Sequence, residues 1–192
     1  MRAVFLVLAL TMLPACSDSG PDERRLIGCL LLKDFVGREF ETTRGPLALS
    51  DDPASILPPE AYEDIDALVE VATGLEGNTR SRDELRRMFE EEEELSTLSP
   101  TTECPSLAAL KREKAFVPPA GEEQPPTTED GLLYTYSSVA VSLPLVDLKR
   151  GEATFQATRV CGPLCAGGVT VTYRRGEDGT WRYASESSTW IS

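Results

Sequence analysis

The chain has 192 residues and a mass of 21.0 kDa, a size that suits one ordinary domain or one domain with a tail. It is 41% hydrophobic and 27% charged, so it can bury a core. Its formal net charge is −13, and it contains no histidine. The acidic balance argues against nucleic-acid binding, because neutralising phosphates requires a cationic surface. The lack of histidine excludes histidine-based catalytic triads and Cys₂His₂ zinc sites.

The N-terminus carries the strongest signal in the chain. Arg2 is followed by a run of eleven residues, 3–13, in which only Thr11 is polar. Eleven helical residues span about 16 Å, roughly half of a bilayer core, so the run predicts a signal peptide and not a transmembrane helix. The run leads into the sequence Leu13-Pro14-Ala15-Cys16.

This ending resembles the lipobox of bacterial lipoproteins, although Pro14 departs from the usual pattern. The resemblance implies that Cys16 carries a diacylglyceryl thioether, that residues 1–15 are removed, and that the new amine is acylated, as with palmitate. The mature chain would have 192 − 15 = 177 residues and a charge of −13 − 1 = −14. Because Ser17, and not Asp, follows the cysteine, we expect an anchor in the outer membrane, facing the periplasm or the cell surface. An ordinary secretory signal is the alternative.

Four further cysteines remain after the anchor: Cys29, Cys104, Cys161 and Cys165. An even number in an exported protein predicts two disulfides, for which three pairings exist. The turn-forming Gly-Pro-Leu spacer favours Cys161–Cys165, which leaves Cys29–Cys104. The three-residue spacer does not match a redox CxxC site, and the spacings do not match a Cys₄ zinc site. We nominate no catalytic, cofactor-binding or metal-binding residue.

The first half of the mature chain predicts helices. After a lipidated tether at 16–25, we interpret residues 26–116 as a mainly helical segment. The apolar run at 26–36 favours a helix because leucine dominates it, and prolines open further helices near 58–73 and 105–115. Ser81 and Glu84 match a capping box at the start of another helix. The five consecutive glutamates that follow, 90–94, are interpreted as a solvated helix face.

The second half predicts strands. Residues 117–130 are rich in proline and acidic side chains and predict a linker. From 131 to 192 apolar and polar residues alternate, which predicts an antiparallel sheet of about 4–5 strands. The fold class is therefore α+β, with N-terminal helices and a C-terminal sheet, and residues 26–192 are expected to form one domain. The strands are expected in five segments: 132–136, 139–143, 153–158, 169–174 and 181–185.

The end of the chain also carries a motif. Residues 161–168 read Cys-Gly-Pro-Leu-Cys-Ala-Gly-Gly, and Gly-Thr-Trp and a terminal Trp-Ile-Ser follow. This set resembles the C-terminal segment of uncharacterised bacterial exported proteins, except that Ala166 stands where glycine is usual. The resemblance implies a small shared sheet and no particular activity.

Two functions remain open at this point. The favoured one is a non-catalytic interaction or accessory lipoprotein, held in the membrane through Cys16, whose acidic surface engages an envelope protein. An inhibitor or immunity-type protein that pairs with a basic partner is one version of it. The alternative is a small-ligand-binding or hydrolytic α+β domain of cystatin-like or NTF2-like shape, which rests on fold analogy.

The lipobox interpretation yields a direct prediction. Cys16→Ser should release the protein from membranes, because the acyl chains that anchor it have no attachment site. The measurement is the share of the protein in the membrane fraction, together with the intact mass of the mature chain. Ser19→Ala is the control and should stay with the membrane. A Cys16→Ser protein that fractionates like the wild type would contradict the prediction.

Overall fold

A computed structural model describes residues 21–54, 59–119, 125–129 and 131–191. The expected signal peptide, Cys16 and the terminal Ser192 lie outside the described residues. The described chain forms five α-helices, a 3₁₀ helix and six strands. The helices are α1 (Pro21–Thr42), α2 (Ile65–Gly74), α3 (Arg82–Ser96), α4 (Pro100–Glu103) and α5 (Pro105–Lys114), and the 3₁₀ helix is Pro59–Asp64. The strands are β1 (Leu47–Leu49), β2 (Ser137–Val141), β3 (Leu145–Asp147), β4 (Glu152–Gly162), β5 (Cys165–Arg175) and β6 (Trp181–Ile191).

One mixed sheet organises the molecule. Its strand order is β1-β2-β4-β5-β6, and β3 pairs with the first part of β4. All pairs are antiparallel except β1 with β2. The α+β class is thus confirmed, and the sheet contains one parallel pair that the sequence did not predict. The parallel strand β1 comes from the N-terminal half of the chain, and three residues are too few to show a strand period.

The core lies between one face of the sheet and helices α1 and α5. Register places Ala153 opposite Tyr173 and Phe155 opposite Val171, so alternate residues of β4 and β5 point to the same side and are buried. Phe35 of α1 packs edge-to-face on Phe155, with ring centroids 5.2 Å apart. Leu107 and Leu110 of α5 join the same cluster.

Most of the predicted helices are confirmed. Residues 26–36 lie within α1, which begins at Pro21, and residues 105–114 form α5. The helix expected near 58–73 is divided into the 3₁₀ helix and α2, where Asp64 caps the α2 amide of Ala67 at 2.9 Å; Pro58 lies outside the described residues. The Ser81–Glu84 capping box at α3 is present in both directions.

The strand predictions at 132–136 and 139–143 were only partly right. Residues 132–136 form no strand, and Tyr134 makes an isolated bridge with Thr127. Ser137 and Ser138, expected to lie between two strands, begin β2 instead. Tertiary pairing decides this boundary, because Ser137 donates its amide to the Pro46 carbonyl at 2.9 Å. The other three predicted strands lie within β4, β5 and β6.

The structure contains both disulfides that the spacing favoured. Cys29–Cys104 joins α1 to the start of α5, and Cys161–Cys165 closes the turn between β4 and β5. Cys104 is fully buried, so the first bridge belongs to the core. The second bridge spans a solvent-facing turn in which Leu164 is exposed.

Close packing explains why two positions of the C-terminal motif are glycines. A side chain at Gly162 would collide with the backbone of Leu132, which crosses this end of β4. A side chain at Gly168 would collide with the indole of Trp190 on β6. Ala166 lies inside β5, and no described non-glycine residue has a positive φ, so alanine fits there without strain.

The two disulfides should differ in their contribution to stability. The chain-entropy relation gives about 4 kcal/mol for a loop of 75 residues and about 2 kcal/mol for a loop of 4 residues. Cys29→Ala/Cys104→Ala should therefore lower the free energy of unfolding more than Cys161→Ala/Cys165→Ala. Urea unfolding of both double variants checks this, and an equal or reversed order would contradict it.

Candidate functional site

A cavity of about 510 Å³ lies between helices α2 and α3 and the second face of the sheet. The sheet contributes Thr154, Gln156 and Thr170, which share one face because Gln156 is directly opposite Thr170. The volume is within the range of small-molecule pockets. The helices contribute an apolar wall whose main members are Leu85, Met88, Phe89 and Leu95.

The polar wall is fixed by hydrogen bonds inside the sheet. Ser142 is buried, and its hydroxyl accepts a hydrogen bond from the backbone amide of Gln156 at 2.9 Å. The Thr170 hydroxyl donates to the side-chain oxygen of Gln156 at 3.1 Å. Because these bonds hold the side chains in place, the cavity presents a defined polar surface opposite the apolar helix wall.

Glu92 of α3 lines this cavity from the helix side, and Tyr62 lines it as well. Burial raises the pKa of Glu92, and a hydrogen bond with the Tyr62 hydroxyl lowers it in part. Burial also raises the pKa of Tyr62, with a further contribution from the charge of Glu92. The pair places a hydrogen-bonded carboxyl and a phenol in an otherwise apolar wall. Such a pair can bind a polar or cationic group of a small molecule.

Ion pairs lie beside the cavity, next to Arg80 in its lining. Arg80 lies 3.0 Å from the carboxylate of Glu152, and the other oxygen of Glu152 lies 3.7 Å from Arg174. Arg150 lies 3.6 Å from Glu84 of the capping box. The Arg80–Glu152 pair connects the segment before α3 to the start of β4, and the Arg150–Glu84 pair connects α3 to the turn before β4.

The glutamate run at 90–94 is only partly the solvated face that the sequence predicted. Glu90, Glu93 and Glu94 are exposed, whereas Glu91 and Glu92 are half-buried. Glu91 lies 3.8 Å from Arg24 of α1. The apolar stripe of α3 explains the difference, because Glu92 is seven residues after Leu85 and so lies on the same helix face. That spacing was the sequence signal that could have identified Glu92 as a half-buried residue.

The predicted cysteine sites are not part of the cavity. Cys29 and Cys104 lie in the core, and the Cys161–Cys165 turn lies at the end of the sheet that Leu132 crosses. Within the described ranges, no group of three or more His, Cys, Asp or Glu residues could hold a metal ion. No described helix is long and apolar enough to cross a membrane.

Comparison with known proteins adds no relative. No protein-family model matches the chain, and neither a curated protein nor a solved structure matches it. The function must therefore be inferred from the sequence signals and the geometry of this chain.

The buried carboxyl predicts a specific pH dependence. A carboxyl whose pKa is raised on folding stabilises the fold at low pH, and this contribution is lost as the pH rises from the unfolded value of 4.5 through the raised value. Glu92→Gln should remove this loss, so the variant should be at least as stable as the wild type at pH 7. Urea unfolding between pH 4 and pH 8 measures it. Glu93→Gln changes an exposed neighbour and is the control; its free energy of unfolding should depend on pH as in the wild type. If the free energy of unfolding of Glu92→Gln also has the wild-type pH dependence, the prediction is contradicted.

Proposed function

We propose that the chain is an envelope-anchored bacterial lipoprotein and acts as a non-catalytic interaction or accessory protein. Cys16 would carry the acyl chains, and the outer membrane is the favoured location. The observation that carries the proposal is the run of apolar residues that ends in Leu13-Pro14-Ala15-Cys16.

The cysteine pairing supports this proposal. Of the five cysteines in the chain, the other four are paired with one another, so none of them is available to Cys16. Two disulfides also suit an oxidising compartment outside the cytosol. Both observations fit an exported chain whose remaining cysteine is used for acylation.

The charge distribution supports an acidic interaction surface. Most described arginines form ion pairs with carboxylates of the same chain, so few arginines remain to neutralise the unpaired glutamates or to repel a basic partner. On α3, Glu90, Glu93 and Glu94 are exposed and form no ion pair with any described cation. A basic partner would gain attraction and orientation from this face.

Affinity purification of the crosslinked protein from its own membranes tests the proposal. We expect one stoichiometric partner protein, identified by mass spectrometry, with a basic binding surface. Glu90→Gln/Glu93→Gln/Glu94→Gln should reduce its recovery about tenfold, because three steering charges are lost.

A matched control separates surface location from total charge. Glu41, Glu129 and Glu177 are also exposed and form no ion pair with a described residue, so their triple Gln variant has the same net charge as the α3 variant. Recovery of the partner should be unchanged with this control. Equal recovery with both triple variants, or no partner at all, would contradict the proposed acidic interface.

A small-ligand-binding domain is the second candidate, and the cavity beside Glu92 is the observation that favours it. Native mass spectrometry of the same preparation would show a bound small molecule. Ala72 lines the cavity, whereas its neighbour Val71 is exposed and does not. A ligand that is lost in Ala72→Phe and kept in Val71→Phe, in a preparation with no partner protein, would favour this second function.

A further inference from the structure

The outer side of α1 carries two leucines that the fold leaves uncovered. Leu26 is 67% exposed and Leu30 is 63% exposed, and they lie one helical turn apart. At 100° per residue they point away from Gly28 and Leu32, which are buried. We propose that this leucine edge lies in the interfacial layer of the membrane that holds the lipid anchor, so that α1 rests along the bilayer surface. The inference depends on the proposed acylation of Cys16.

The length of chain between the anchor and α1 supports the bilayer as occupant. Five residue steps separate Cys16 from Pro21, where α1 begins, and they can span at most about 18 Å. Leu26 lies five residues further, which is about 8 Å along the helix. The leucine edge is therefore confined to a shell next to the membrane. This confinement raises its effective concentration at the bilayer, so a small apolar area is enough to keep it there.

Aromatic residues continue the same surface. A groove runs between α1 and the β5–β6 hairpin, and it is lined by Ile27, Leu30 and Leu31 on the helix and by Trp181 and Tyr183 on the strand. Trp181 is half-buried, and Tyr183 is 40% exposed. Tryptophan and tyrosine suit the membrane interface, because one part of each side chain is apolar and another forms hydrogen bonds.

Charges of both signs border the leucine edge, because Asp22, Glu23 and Asp34 of α1 are exposed beside it as well as basic residues. Arg24 pairs with Glu91 and Arg25 pairs with Glu103, so these two carboxylates beside the start of α1 are neutralised. Lys33 lies on the same side of α1 as Leu26 and Leu30 and is exposed. A lysine in the interfacial layer of a membrane can extend its ammonium group to the lipid headgroups.

The two tryptophans allow the proposal to be tested within one molecule. Trp181 borders the groove beside α1, whereas Trp190 lies on Gly168, at the opposite end of β5 and β6. Trp190→Phe leaves Trp181 as the single fluorophore, and Trp181→Phe leaves Trp190. Trp190 is 38% exposed and thus reports non-specific contact with lipid.

The experiment uses the full acylated chain, purified from membranes and reconstituted in phosphatidylcholine vesicles with brominated or ordinary acyl chains. Bromine quenches tryptophan only at short range. We expect Trp181 to lose about half of its fluorescence in brominated vesicles and Trp190 to lose little, because only the first lies at the interface. Equal quenching of both residues, or of neither, would overturn the proposal.

Variants of the leucine edge provide the second readout. Leu26→Ser/Leu30→Ser should abolish the quenching of Trp181, whereas Leu132→Ser/Leu133→Ser should leave it unchanged. The control pair is also exposed, and it lies beside Gly162 at the far end of the sheet. Both pairs lie on the surface, so the substitutions should leave the fold intact, and circular dichroism of each variant checks this. Persistent quenching after Leu26→Ser/Leu30→Ser would overturn the role of the leucines.

Two further measurements distinguish membrane contact from a missing anchor and from self-association. Intact mass reports the acyl chains: an acylated protein without quenching contradicts only the membrane contact, whereas a protein without acyl chains contradicts the proposed function and this inference together. Sedimentation in detergent reports self-association. A dimer that becomes a monomer in Leu26→Ser/Leu30→Ser would overturn the proposal and assign the leucine edge to a second copy of the chain.

Discussion

The packing of α1 on the sheet is the interaction on which the rest of the structure depends. Phe35 contacts Phe155, which stacks on Tyr173 at 6.2 Å between ring centroids. The Tyr173 hydroxyl donates to Asp34 at 2.6 Å and accepts from Arg38 at 2.7 Å. Further along the helix, Glu39 accepts two hydrogen bonds from Arg159, at 2.7 Å and 2.9 Å. Because apolar and charged contacts alternate along one helix, both its position and its direction on the sheet are specified.

This packing also explains where the cavity forms. Helices α1 and α5 occupy one face of the sheet, and the Cys29–Cys104 bridge joins them. Helices α2 and α3 lie over the other face, where the strands present Thr154, Gln156 and Thr170. The apolar face of α3 does not fill the space over these polar side chains, so a cavity remains between them. Apolar and polar residues alternate along β4 and β5, so one face of the sheet is apolar and the other is polar. The polar face lines the cavity.

The same helix connects the fold to the proposed membrane attachment. Its inner side forms the core, and its first residue lies five positions after the expected acylated cysteine. A short tether to a helix fixed on the sheet restricts the orientation of the whole domain at a membrane. If the anchor is present as proposed, the acidic residues of α3 and the cavity are held at fixed positions relative to that surface.

The sequence by itself determined the local elements whose causes are local. The capping box at Ser81 marked the start of α3, and the alternation in 153–158 and 169–174 marked two strands. The turn spacer between Cys161 and Cys165 favoured the disulfide pairing that the structure contains. Only the tertiary structure decided that residues 47–49 form a parallel strand, because a three-residue strand depends on its partner and not on its own period. It also decided that Glu92 faces a cavity, since a helix pattern shows which residues share a side but not what lies opposite.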